Sequence, residues 1–164
     1  MANRKRITVE GAGFGLIAGV IFLAAEMFDS AVTNGLPADP LRRAASVVLG
    51  FHALDSSLGT TFLAGLVLYG GLSALAGVGY AQFEFRLPAD TRRHYGWQAR
   101  VGAVYAGLLW TFGAVVTQRF FPWLVTEAPL RQLLIQALFY GGALGLMFAS
   151  AERRTPLVVR PSVG

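Results

Sequence analysis

Four long apolar runs, each bounded by charge or proline, constrain this chain more than any other feature. Ser56 to Phe83, Val101 to Gln118 and Gln132 to Ala151 contain no charged residue. Gly11 to Ala25 is equally clean, and Glu26 alone interrupts the apolar character that runs on to Phe28. A bilayer core about 30 Å thick takes roughly 20 helical residues to cross. The pattern predicts an all-α membrane protein, a four-transmembrane-helix bundle with spans near 9–29, 58–83, 98–119 and 129–151. A polar C-terminal tail extends over 152–164.

Composition narrows the classes further. Hydrophobic residues make up 54% of the chain and charged residues 14%, well below the roughly 25% charged of a soluble domain. Four spans use most of the 164 residues, which leaves no soluble part large enough to bury its own core. The absence of cysteine excludes disulfides, thiolate metal sites and cysteine nucleophiles. A net charge of +5 would suggest nucleic acid in a soluble protein. Here the basic residues flank the spans, so the charge reads as topology and no nucleic-acid partner is expected.

Ten of the 14 basic residues fall on one side. Arg4, Lys5 and Arg6 precede the first span, Arg86, Arg92, Arg93 and Arg100 lie between the second and third, and Arg153, Arg154 and Arg160 follow the fourth. The other two loops carry Arg42 and Arg43, then Arg119 and Arg131. The positive-inside rule places both termini and the middle loop in the cytoplasm of a bacterial inner membrane. The basic start also has the form of a signal peptide. However, the apolar run continues to Phe28 and Asp29-Ser30-Ala31 makes a poor cleavage site, so an uncleaved first helix is expected.

Small residues recur at helical spacing. Gly11, Gly15 and Gly19 share a face of the first span, Ser73 and Gly77 of the second, Ala103 and Gly107 of the third, and Gly141 and Gly145 of the fourth. Membrane helices gain little by leaving lipid for each other and associate instead through close backbone packing. These faces are expected to pack helices together or against a partner subunit, with Gly11, Gly15 and Gly19 the foremost contact to another polypeptide. Between spans 1 and 2, Asp39-Pro40 has the form of an N-cap and first-turn proline. Leu41 to Phe51 is too short to span and suits a helix lying on the outer surface. Thr126 is the expected cap of the fourth helix, and Asp90 that of an extension running into the third. Trp97 on one side and Phe120, Phe121 and Trp123 on the other mark the membrane interfaces. Pro40-Leu41-Arg42 and Pro129-Leu130-Arg131 form a faint internal repeat.

With its glycine-rich first span, Glu26 near the end of that span, the Pro-Leu-Arg segment and the glycine-rich second span, the chain resembles small four-helix proteins of bacterial inner membranes. The resemblance covers most of the chain and implies its topology. It implies no activity, substrate or cofactor.

Candidate sites are few. Gly13-Phe14-Gly15-Leu16-Ile17-Ala18 has the letters of a dinucleotide fingerprint but lacks the preceding strand, and reads as a packing face. His52 and His94 are the only histidines. They belong to loops on opposite sides, so they cannot jointly ligate a haem or metal within one chain. No intrinsic cofactor is expected; bound lipid is, and a tetrapyrrole or quinone held between subunits stays open as an alternative. Glu26 is the main candidate, since a carboxylate within a span calls for a partner or a function. It lies one turn from Asp29, in the outer third, on the side of Arg42, Arg43, Arg119 and Arg131. An ion pair tying the first helix to an outer loop is favoured over a proton or cation site. Gln136 and Tyr140, one turn apart, read as interhelical hydrogen-bonding groups. No serine or threonine in a span has a base in reach besides Glu26, so an enzyme is not expected.

Two function classes remain. The first is a non-catalytic subunit with a scaffold, assembly or stabilising role in a larger membrane complex. The second is a small oligomeric transporter or channel for a neutral or apolar solute. Packing faces without midplane charge favour the first.

Overall fold

Chain geometry derives directly from the apolar runs. The computed structural model describes residues 2–33, 35–54, 58–124 and 128–154. Helix α1 spans Ala2–Val32, α2 Asp39–Leu49, α3 Leu58–Glu84, α4 Ala89–Arg93 and α5 Tyr95–Phe120. A 3₁₀ turn, Phe51–Leu54, follows α2. The fourth long segment opens as α6 (Pro129–Ile135), widens into a π-helical stretch (Gln136–Gly142) and closes as α7 (Ala143–Arg154). Strands are absent among the described residues. Among the described residues four helical segments are long and apolar enough to cross a membrane: Thr8–Val32, Gly59–Glu84, Tyr95–Phe120 and Pro129–Arg154. At 1.5 Å per residue, a 26-residue span reaches roughly 39 Å and clears a bilayer core.

Two glycine-closed hairpins make the bundle. In the first, α1 runs antiparallel to α3 with their backbones in contact. A Cβ on Gly11 would fall 2.8 Å from the Ala81 Cβ, and one on Gly15 would fall 2.8 Å from the Gly77 Cα. A Cβ on Gly19 would collide with the Ser73 side chain. In the second, α5 lies against the fourth span, where Gly102 meets Gly141 and Gly145, and Gly145 meets the backbone of Gln98. Any larger side chain at these positions would have to push the helices apart, which is why glycine occupies them. The hairpins meet through aromatic rings. Phe14 packs edge-on to Phe148 at 5.0 Å, Tyr80 lies 5.2 Å from Tyr105 and 5.3 Å from Phe148, and Phe22 lies 6.3 Å from Tyr140.

This packing corrects an expectation. The stripe Gly11, Gly15, Gly19 does not wait for another polypeptide, because α3 of the same chain fills it with Ser73 and Gly77. The third-span face is also shifted by one residue. Gln98, Gly102 and Ala106 are the buried row of α5, whereas Ala103 stands beside it and a Cβ on Gly107 would lie 3.7 Å from the Leu133 side chain.

The short helix α2 lies across α3, burying Leu41, Ala45 and Ser46, and Gly65 admits the Leu41 backbone. Trp123 reaches the same helix, donating its indole N–H to the Ser46 Oγ at 3.3 Å. Gly50 ends α2 at φ 80°, a conformation that suits glycine. Asp39 does not cap α2, whose N-cap is Ala38. Its carboxylate turns back to accept the Leu36 N–H at 2.8 Å and the Ser30 hydroxyl at 3.4 Å, which ties the turn to the end of α1. Asp90 is likewise no cap. It lies inside the separate short helix α4, and an extended residue, His94, breaks the chain before α5 begins at Tyr95. Thr126 lies outside the described residues, and the fourth helix starts after Ala128 without a side-chain cap. The Pro-Leu-Arg segments also differ in setting, since Leu41 is 2% exposed and Leu130 75%.

Candidate functional site

The polar groups inside the bundle gather along one face of α3. Tyr69, Ser73, Ala76, Tyr80 and Glu84 succeed each other at intervals of three or four residues, which is one side of a helix. Ser73, Tyr80 and Glu84 are buried. Each takes part in a hydrogen bond that crosses to another helix or to a side chain across the interior. Tyr69 donates its hydroxyl to the Glu26 Oε2 at 3.1 Å. Tyr140, from the π-helical stretch, donates to the Ser73 carbonyl at 2.8 Å. Tyr105 of α5 donates to the Ala76 carbonyl, also at 2.8 Å. Tyr80 donates to the Gln98 Oε1 at 2.6 Å, and the Gln98 amide in turn donates to the Glu84 Oε1 at 3.4 Å.

The physical reason for this satisfaction is general: a polar group buried away from water without a hydrogen-bond partner costs free energy. The π-helical stretch has a role here. By holding five rather than four residues within a hydrogen-bonded ring it rotates the remainder of the helix, and such bulges recur at functional positions. In this chain it carries Tyr140 to Ser73 and leaves Gly141 against Gly102.

No protein-family model, curated protein or solved structure matches this chain.

The geometry at each end of the stripe completes the site. At the α2 end, Glu26 takes the Tyr69 hydroxyl and feels the positive charge of Arg43. The expected ion pair exists one turn further on, between Asp29 and Arg131 at 3.2 Å, so it anchors α1 to the start of α6 without Glu26. Arg42 approaches Asp39 at 3.9 Å, and Arg119 is exposed in the last turn of α5. A shallow apolar cleft of about 190 Å³ lies alongside, between α1 and α3, bordered by Leu16, Gly19, Tyr69, Gly70 and Ser73. At the opposite end, Arg92 of α4 pairs with Glu152 of α7 at 3.3 Å. Arg153 donates to the Arg93 carbonyl at 2.7 Å and stands 4.2 Å above the Tyr95 ring. These contacts latch α4 over the end where Glu84 is buried.

The two histidines stand at opposite ends of α3, His52 in the turn before it and His94 after it. Among the described residues no cluster of metal-ligating side chains occurs. The Gly13–Ala18 segment lies in the middle of α1, away from any strand. Sequence reasoning missed Tyr69, Tyr80, Glu84 and Gln98. The signal was present in the four-residue spacing of Tyr69 with Ser73 and of Tyr80 with Glu84.

The Glu26 geometry gives a sharp stability expectation. Glutamine at position 26 still offers an oxygen to Tyr69, so Glu26→Gln should cost less than about 1 kcal/mol, whereas Glu26→Leu strands the hydroxyl and should cost about 1–3 kcal/mol. Thermal unfolding in detergent separates the two. Equal losses would show that the charge, not the hydrogen bond, is what matters. The half-exposed Asp29–Arg131 pair should contribute under about 1 kcal/mol and less at high salt.

Proposed function

We propose that the protein is a non-catalytic integral component of a bacterial cytoplasmic membrane, a helical subunit with a scaffold or assembly role in a larger membrane complex. The interior supports this reading. Backbone-to-backbone glycine contacts and internally bonded tyrosines make a tightly fastened unit, which suits a part that holds its shape among neighbours. The small-residue stripe of α1 is used within the chain, so the partner surface lies elsewhere. The third span is the least covered of the four, and its Val104, Leu108, Phe112 and Val115 project outward in a row. That row is the proposed contact, with membrane lipid filling whatever a partner leaves. No intrinsic cofactor belongs to this reading. A second reading, a small oligomeric transporter or channel for a neutral or apolar solute, draws support from the cleft beside Gly19 and Gly70.

Mild extraction from native membranes, with identification of co-purifying polypeptides, tests the first reading. A stoichiometric partner, lost on Phe112→Ala with the fold intact, is the expected result. A partner-free protein that moves a solute across liposomes would overturn it in favour of the second.

Both termini, and with them α4, belong on the cytoplasmic side in this proposal, since ten basic residues gather there. The absence of cysteine makes a labelling test clean. A cysteine replacing His52 should react with an impermeant reagent added outside, and one replacing His94 only after permeabilisation. The reverse pattern would invert the topology.

A further inference from the structure

The cleft between α1 and α3 leads to a carboxylate. Leu16, Gly19 and Leu23 of α1 line one wall, and Leu66, Tyr69 and Gly70 of α3 the other. A Cβ at Gly70 would reach ordinary contact with the Leu16 Cδ2, at 3.6 Å, so the hollow exists because this residue is glycine. Leu16 and Leu66 are exposed, as is Val20 between them, and the cleft therefore opens outward from the bundle. On α1 the sequence Leu16, Gly19, Leu23, Glu26 advances by three and four residues, which keeps Glu26 on the same side of the helix, about 4.5 Å beyond Leu23. Tyr69 joins the two parts: its ring lines the cleft and stacks on Phe22 at 5.7 Å, while its hydroxyl donates to the Glu26 Oε2 at 3.1 Å. Glu26 is only partly covered, and none of the ion pairs among the described residues includes it. The α2 backbone crosses α3 at Gly65, one turn from Tyr69, so Arg43, two residues from Leu41, comes near the level of Glu26.

We propose that the cleft and Glu26 bind a phospholipid with a primary ammonium head group, one acyl chain lying in the cleft, the ammonium on Glu26 and the phosphate toward Arg43. A carboxylate at the edge of an apolar surface calls for a cation, and the groove below it, about 10 Å long from Leu16 to Leu23, calls for a chain. A phospholipid supplies both in one molecule, whereas a free cation leaves the groove empty. A primary ammonium group has three N–H donors, and hydrogen bonds to an ionised acceptor are roughly twice as strong as neutral ones. A choline head group carries the same charge without an N–H, so it meets Glu26 by charge alone. A glycerol head group on the same phosphate leaves Glu26 without a cation. The charges around the site thus select the head group, and the cleft selects an amphiphile.

The site is built by α1 and α3, whereas the partner surface proposed above lies on α5, so the test uses the purified full-length protein without partners. In detergent it is titrated with dioleoyl phosphatidylethanolamine, phosphatidylcholine or phosphatidylglycerol, and bound lipid is counted by native mass spectrometry. The ethanolamine lipid should bind about tenfold more tightly than the choline lipid, the worth of one hydrogen bond to a charged group. Glu26→Gln, which keeps an acceptor for Tyr69, should erase that preference. Gly70→Leu should fill the cleft and weaken binding of the ethanolamine lipid, while Gly71→Leu, with open space around its added Cβ, should leave it unchanged. Equal affinity for the ethanolamine and choline lipids, or tighter binding of the glycerol lipid, overturns the proposal. So does a folded Glu26→Gln protein that keeps the preference, a criterion that holds even if Gly70→Leu does not fold. Co-purification is read separately, so loss of the lipid site and loss of the subunit reading are distinguishable.

Discussion

Gly15→Leu should unfold the protein rather than release it from a complex. The added side chain would enter the Ser73 carbonyl and the Gly77 Cα, both of them backbone, with no flexible atom to yield. Overpacking of this kind costs typically 1–3 kcal/mol, and a backbone-to-backbone site belongs at or above about 3 kcal/mol. The contrast lies two residues away. Gly13 points outward with nothing within 4 Å of its added Cβ, so Gly13→Leu should be tolerated and gain up to roughly 1 kcal/mol from helix propensity. Unfolding in detergent, monitored by circular dichroism or proteolysis, measures both. Equal tolerance of leucine at the two positions would mean that α1 and α3 do not touch as described.

The contrast also shows what is legible in the sequence. Span positions can be read from the length of the apolar runs, because bilayer thickness sets a requirement that no tertiary contact alters. The small-residue faces are legible for a similar reason: helical spacing alone decides which residues share a side. Spacing says nothing about what stands opposite that side. Gly15 therefore reads as a surface for a neighbour, while the neighbour is Gly77 of the same chain. Glu26 reads as half of an ion pair because arginines share its end of the molecule. Its partner is instead Tyr69, 43 residues along the chain, and only the antiparallel register of α1 and α3 brings the two together. The π-helical stretch has no proline to announce it, and Asp39 bonds backward to Leu36 although its sequence setting is that of a helix start. Glu84 reads as one more charge at a span boundary. It is buried against Gln98 of α5, whose amide it accepts, a contact between helices that hydropathy does not encode.

That buried end carries the second large effect. Gln98 is fully buried and serves two partners at once, accepting from Tyr80 and donating to Glu84. Gln98→Ala removes both bonds and leaves a cavity, and stranding buried polar groups costs about 1–3 kcal/mol each. A loss of about 3 kcal/mol or more is expected. Gln98→Glu keeps the volume and an acceptor for Tyr80 but sets a carboxyl beside Glu84. It should destabilise most at high pH, where both groups ionise and repel. Thermal unfolding across pH reads this: a pH-independent loss for Gln98→Glu would show that the Glu84 contact carries no weight.

Oxidative cross-linking of a Gly11→Cys/Ala81→Cys double variant tests the central feature, an α1–α3 hairpin closed within one chain, most directly. The added Cβ at Gly11 lies 2.8 Å from the Ala81 Cβ, 2.9 Å from the Gly77 carbonyl oxygen and 3.0 Å from the Val78 Cα; a disulfide wants roughly 3.5–4.5 Å between Cβ atoms, so the two helices must part locally by about an ångström, and a folded Gly11→Cys single variant is the control. Since the chain has no other cysteine, the product is unambiguous. An intramolecular disulfide that leaves the protein at monomer mass and resists dilution is the expected result. A disulfide-linked dimer, or free thiols at both positions in folded protein, would contradict it and return the glycine stripe to another polypeptide.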